Sequence, residues 1–236
     1  MKEKVVVIGG TSGIGLATAS KLSQNGYSVV ISGRTKESIE SALKQIQGAA
    51  IGYPLNFSDP VSVDHFFANV GEHDHLALIG SGQAAWGSFS ELTVAALRTA
   101  FDEKFYGFFS CAQASLKKLR KDGSIVFTIG GACRSAIPGT SGVAAVNGAI
   151  QSMAFTMAKE IAPVRVNILS PGLVDTPMYS WMSKEEKEGF FQKMGGNLPV
   201  GRVGNPDEIA RAVLFLVQNK YTTGAIIDID GGGRLH

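Results

Sequence analysis

Apolar positions along this chain follow two spacings that alternate from one end to the other. Short unbroken runs, beginning with Val5, Val6, Val7 and Ile8, have the character of strands buried on both faces. Longer stretches, such as the one carrying Leu16, Ala19 and Leu22, repeat every three or four residues and predict amphipathic helices. Strands are expected at 4–8, 27–32, 49–55, 75–80, 124–129, 164–169 and 225–230. Helices are expected at 13–25, 36–47, 60–70, 91–121, 142–162 and 206–218. The alternation implies an α/β fold, a doubly wound seven-stranded parallel sheet with helices on both faces, formed by 1–236 as a single domain. Residues 171–200 interrupt it with Pro171, Pro177, Pro199 and four glycines around a short Lys184-Glu185-Glu186-Lys187-Glu188 helix. A binding lid is expected there, at about 175–200.

The first strand runs into Gly9-Gly10-Thr11-Ser12-Gly13-Ile14-Gly15 and then into a helical pattern. Glycines at 9, 13 and 15 let a ligand approach the backbone, and the N–H groups at the start of the following helix favour an anion such as a pyrophosphate. A dinucleotide is the implied ligand; an ordinary strand-to-helix turn is the plainer alternative.

Composition narrows the partner. With 44% hydrophobic residues, 18% charged residues and a net charge of +2, the chain is suited to a large core and carries no basic stripe for nucleic acid. Cys111 and Cys133 are its only cysteines, and neither a leader-like N-terminus nor an apolar run of ~20 residues is visible. A cytoplasmic protein with free thiols, no membrane partner and a small-molecule ligand is expected. The histidines, among them His65, His73 and His75, show no metal-ligand spacing.

Several separate stretches together resemble the short-chain dehydrogenase/reductase family over about residues 3–233. They are the Ile8–Gly15 turn, Asp74 and Leu76 at the fourth strand, and Val164-Arg165-Val166-Asn167. Further on come Ser170-Pro171-Gly172-Leu173-Val174-Asp175-Thr176-Pro177-Met178, then Gly201-Arg202-Val203-Gly204, Pro206-Asp207-Glu208-Ile209-Ala210 and Asp230-Gly231-Gly232. The resemblance implies a Rossmann fold, a nicotinamide cofactor and oxidoreductase chemistry. It assigns cofactor contacts to Gly9, Thr11, Ser12, Gly13, Ile14, Gly15, Asn56, Phe57, Gly80, Ser81, Pro171, Gly172, Val174 and Thr176. Asn56 stands where the family has an Asp that contacts the adenine amino group, and its side-chain oxygen can accept the same hydrogen bond.

The end of the second strand, where the adenosine ribose sits in such folds, reads Gly33, Arg34, Thr35, Lys36. No carboxylate is available for a free 2′-hydroxyl, and a guanidinium fork suits a 2′-phosphate. NADP(H) is therefore expected over NAD(H), unless Arg34 and Lys36 are merely solvated charges at a helix start.

By the same resemblance the family's four catalytic groups are all replaced. Val143 stands at the Tyr position, Asn147 at the Lys position, Gly131 at the Ser position and Lys104 at the Asn position; Leu78-Ile79-Gly80-Ser81 replaces an Asn-Asn-Ala-Gly turn. Valine donates no proton, so the usual mechanism is excluded. Lys104 and Asn147 look like an exchange of two residue types, expected to face the nicotinamide ribose together, with the ammonium able to polarise a carbonyl. The alternative puts Lys104 on an outer helix face, reaching solvent.

Arg134 is a candidate for stabilising an oxyanion. Cys133, Ser135, Ser141 and Gln83 are weaker candidates, and Met178, Tyr179, Trp181 and Met182 in the lid suit an apolar ligand. An NADPH-dependent reductase of carbonyl or quinone-like molecules with a non-standard site is the leading expectation. A catalytically inactive NADP(H) sensor, regulatory or scaffold protein is the alternative. A homodimer or homotetramer is expected, with Phe105, Phe108, Phe109, Met153 and Phe155 offered for the contact.

Overall fold

A computed structural model describes residues 2–80, 82 and 84–235. Seven strands form one parallel sheet: β1 Lys4–Ile8, β2 Ser28–Gly33, β3 Ala50–Pro54, β4 His73–Leu78, β5 Leu119–Thr128, β6 Arg165–Pro171 and β7 Ile226–Ile229. Their spatial order is β3-β2-β1-β4-β5-β6-β7. The order reverses between β1 and β4, and in open sheets of this kind ligands bind beyond the carboxyl ends of the strands at that point.

Alternate residues of each strand feed two cores. Val6 and Ile8 join Leu76, Leu78, Ile125, Phe127 and Ile168 on one face. Val5 and Val7 join Ala77, Val126 and Leu169 on the other. Both faces are dry, which is why these strands read as unbroken apolar runs. The first core is covered by α3 Pro60–Val70, α5 Gly107–Ser115 and α6 Ser141–Glu160; the second by α1 Gly13–Gln24, α2 Lys36–Leu43 and α8 Pro206–Gln218. Across the second face Lys21 of α1 reaches Asp207 of α8 at 2.6 Å.

The expected helix over 91–121 is corrected in two ways. It divides into α4 Val94–Ala100, a wide π turn over Phe101–Tyr106 and α5, and it ends at Ser115. Residues from Leu119 onward belong to β5, whose pairing shifts between His73 and His75 where Gly123 packs against the Asp74 carbonyl. The helix expected within 171–200 is longer than its charged run suggested: α7 spans Lys184–Gly196, started by a capping box between Ser183 and Glu186. Phe108, offered above for a subunit contact, is instead buried in the core at 1% exposure, while Phe109 and Phe155 remain exposed. Among the described residues no helix is long and apolar enough to cross a membrane, and no cluster of His, Cys, Asp and Glu is arranged to hold a metal ion.

Candidate active site

The glycine turn closes on itself by backbone contact. A Cβ on Gly15 would lie 1.9 Å from the Gly9 carbonyl oxygen, and one on Gly9, whose φ is +76°, would lie 1.9 Å from the carbonyl oxygen of Ile79. These two glycines let β1, α1 and the end of β4 touch. Gly13, with φ of +50°, has Thr176 and Pro177 on its open side at 3.4–3.5 Å, so the segment after β6 lies across the start of α1. Ser12 caps α1 in extended geometry without a side-chain hydrogen bond, and no acidic residue stands in the first turn. Ile14 opens the helix beside it, and Thr11 packs its methyl group where a Gly33 side chain would be. The result is an anion-favouring helix start at the carboxyl edge of the sheet.

At the end of β2, Arg34, Thr35 and Lys36 are exposed. Thr35 accepts the N–H of Ser38 and caps α2, and Lys36 lies 3.8 Å from Glu40. After β3, Asn56 is exposed and its side-chain oxygen accepts the Ser58 N–H, which leaves a lone pair for a second donor. The Phe57 ring packs on Gly107. After β4, Gly80 faces the ring of Phe108. Ser81 and Gln83 lie outside the described residues.

One buried polar contact joins two helices. Lys104, in the π turn, donates from Nζ to the Oδ1 of Asn147 on α6 at 2.8 Å. Both are buried, Lys104 at 8% and Asn147 at 1% exposure, so Lys104 does not reach for solvent. The ammonium also lies 5.8 Å from the centre of the Phe108 ring, one helical turn on. Desolvation pulls its pKa down to about 8, with nearby Cys133 acting in the other direction. Gly130 makes room for the partner: a Cβ there would stand 3.0 Å from Asn147 Nδ2. Gly130 was not singled out from sequence, and Phe108 was read there as a subunit contact; the i+4 spacing from Lys104 to Phe108 was the available signal for its role here.

Cys133 sits beside this pair, its Sγ 3.5 Å from the Gly130 carbonyl oxygen and 3.9 Å from Gln151 Oε1. Burial pushes its thiol up despite Lys104 and Arg134, so it is not a ready thiolate. Arg134 turns away to β7, where Nε and Nη2 donate to the two oxygens of Asp228 at 3.3 and 3.1 Å. Arg234 shares that carboxylate at 3.2 Å. Ser135 Oγ donates to the Gly131 carbonyl.

Beyond β6, Pro171 is buried, Gly172 passes against Asp230 where a side chain would collide, and Val174 bridges to Gly204. Thr176 precedes a single turn, Pro177–Tyr179, and Tyr179 packs on Phe190 and Phe191 of α7.

A parallel sheet in this order with a glycine-rich turn after β1 defines a dinucleotide-type α/β protein. Residues 9–234 match the family model described as Enoyl-(Acyl carrier protein) reductase. The chain is 31% identical to short-chain dehydrogenase/reductase fsr5 of Gibberella fujikuroi, over 98% of this chain and 94% of that protein. It belongs to the short-chain dehydrogenase/reductase family and is an oxidoreductase of that type. Among solved structures, a small-chain dehydrogenase in complex with NADPH is 35% identical with a TM-score of 0.84, each chain covered over 100%. A short chain oxidoreductase from Pseudomonas aeruginosa, described as containing an atypical catalytic center, is 30% identical with a TM-score of 0.89 over 98% of this chain and 96% of that one.

Proposed function

We propose that the protein uses NADPH to reduce carbonyl or quinone-like small molecules through a centre built on Lys104 and Asn147. The observation that carries this reading is the buried 2.8 Å hydrogen bond between them. A cation kept from water with a neutral amide as partner costs stability, a cost that makes sense at a working site.

The chain fits the dinucleotide. The start of α1, where the N-cap Ser12 makes no side-chain hydrogen bond, with Gly9, Thr11, Gly13, Ile14 and Gly15 around it, suits a pyrophosphate. Arg34, Thr35 and Lys36 stand exposed where a 2′-phosphate would lie, and Asn56 keeps an acceptor for the adenine amino group. Pro171, Gly172, Val174 and Thr176 suit the nicotinamide end, and Gly80 and the Phe57 backbone are further contacts for the cofactor. Bound NADPH supplies a hydride. Lys104 then polarises the substrate oxygen and gives up a proton from Nζ to the developing alkoxide, and Asn147 holds Nζ in place. An ammonium with a pKa of about 8 is a better acid at neutral pH than an ordinary lysine. Arg134, held by Asp228 on β7, steadies the segment after β5 and offers its guanidinium to that carboxylate instead of to an oxyanion.

Val143 and Gly131, at the positions of the family's Tyr and Ser, favour a second reading, an inactive NADP(H)-binding sensor or scaffold. One titration separates the two. Fluorescence titration with NADPH and NADH, followed by a quinone, a diketone and an aldehyde, should give preferential NADPH binding and then substrate-dependent loss of NADPH absorbance. Binding with no oxidation for every substrate would favour the sensor.

A further inference from the structure

The carboxyl edge of the sheet is rimmed by large apolar side chains that the centre itself does not use. After β4, Trp86 is 56% exposed and Phe89 81%; after β5, Ile137 is 51% exposed; after β6, Trp181 is 74% exposed. Because β4, β5 and β6 are adjacent and parallel, these segments emerge side by side at the end of the sheet where Lys104 and Asn147 meet. The first two are joined: Gly87 N–H donates to the Gly139 carbonyl at 2.9 Å, and Gly142 at the start of α6 lies against Ala85.

A groove of about 400 Å³ runs between them, lined by Phe89, Ala132, Ile137, Pro138 and Ala144 among others. Of its three hydroxyls two are engaged, Ser135 Oγ with the Gly131 carbonyl and Thr140 Oγ1 with that of Ile137, and Ser141 is exposed at the start of α6. Charge is missing from the rim: residues 84–90, 135–144 and 176–183 contain no Asp, Glu, Lys, Arg or His. Soluble proteins rarely leave so many large apolar side chains together in water without a ligand or partner to cover them.

We infer that the substrate is an uncharged, flat, fused-ring carbonyl compound, held by its apolar body between the Trp86, Phe89 and Ile137 rim and the Trp181 side of the lid. Aromatic faces suit a planar ring system by offset stacking, and a groove of this size accommodates one. A carboxylate, a phosphorylated metabolite or an acyl group delivered on an acidic carrier would find no cation on these three segments to receive it, and the one ammonium at the centre, Lys104, is already held by Asn147. The inference rests on the reductase reading for the word substrate but is measured without turnover.

The two tryptophans of the chain, Trp86 and Trp181, both stand on the rim, so intrinsic fluorescence reports occupancy directly. Phenanthrenequinone, diacetyl, benzoylformate and acetoacetyl coenzyme A are titrated into the full chain, with calorimetry as a second readout. Phenanthrenequinone should bind at least about tenfold more tightly than the other three, the margin expected for one buried aromatic ring. Phe89→Ala, at an exposed position that leaves both reporters in place, should weaken phenanthrenequinone about tenfold and leave diacetyl unchanged. Equal or tighter binding of benzoylformate or acetoacetyl coenzyme A, or unchanged affinity in Phe89→Ala, overturns the inference. Tight phenanthrenequinone binding without NADPH oxidation would contradict the reductase reading and leave this one standing; turnover of diacetyl and benzoylformate without preference would do the reverse.

Discussion

A lysine ammonium inside an apolar core is expensive, and Lys104 is compensated by one amide oxygen and one ring face. Asn147→Leu would leave that cation without its acceptor. We expect a loss of about 1–3 kcal/mol in unfolding free energy, read by urea denaturation, with the double variant Lys104→Met, Asn147→Leu recovering most of it. A full loss in the double variant would show that Asn147 acts through something other than Lys104. Arg34 is tested separately, because its proposed ligand is a phosphate present in only one cofactor. Arg34→Ala should weaken NADPH at least about tenfold and leave NADH unchanged, measured by fluorescence titration; equal loss for both would remove the 2′-phosphate contact.

Elements carry the site in a way that hydrophobic spacing reveals only in part. The strands β1, β2, β5 and β6 were legible because their apolar runs are buried on two faces and rich in β-branched residues, and the start of α8 because Asn205 and Glu208 form a capping box with Pro206 at the first helical position. The π turn at Phe101–Tyr106 was not legible: an extra residue in one turn leaves apolar spacing on either side nearly unchanged. The end of α5 was missed because Leu116, Leu119 and neighbouring lysines continue a helical pattern while the chain turns into β5. The pairing of Lys104 with Asn147 spans 43 residues and was legible only through alignment with the family's motifs. The engagement of Arg134 by Asp228, 94 residues away, left no local signal. The glycine turn gives a test at this scale. Gly15→Ala would press a Cβ into the Gly9 carbonyl at 1.9 Å, so a destabilisation of about 1–3 kcal/mol by thermal denaturation and weakened NADPH binding are expected together. An alanine variant as stable as the parent would contradict that close approach.

On the scale of the whole molecule, the two edges of the sheet do different things. The carboxyl edge holds the lysine pair and the aromatic rim. The amino edge of β4 holds His73 and His75, buried and paired with Ser115 and Ser124 at 2.7 and 2.8 Å. Burial lowers the pKa of both. Around His73, the Gly71 carbonyl and Asp74 act upward and Lys4 downward; around His75, Glu3 and Asp74 act upward and Arg165 downward. A histidine held neutral in the folded state contributes stability above its unfolded pKa of about 6.5, lost as pH falls towards the folded value. Unfolding free energy should therefore decline on acidification below about pH 6.5. The decline should shrink in His73→Gln, as followed by denaturant titration across pH; an unchanged slope would place the acid sensitivity elsewhere.

That acid limb belongs to stability and is separate from the limb expected for the reaction, which lies on the alkaline side. If the Lys104 ammonium supplies the proton, turnover requires its charged form and is lost as pH rises through about 8. The most direct measurement is the pH dependence of kcat for quinone reduction by NADPH, in the parent protein and in Lys104→Met, with NADPH affinity recorded at each pH. Turnover should hold a plateau below pH 8 that falls with a single proton above it, and the Lys104→Met variant should bind NADPH with parent affinity but lose at least about a hundredfold in kcat. A parent profile that stays level through pH 8 to 10, or a Lys104→Met variant with undiminished kcat, would contradict it.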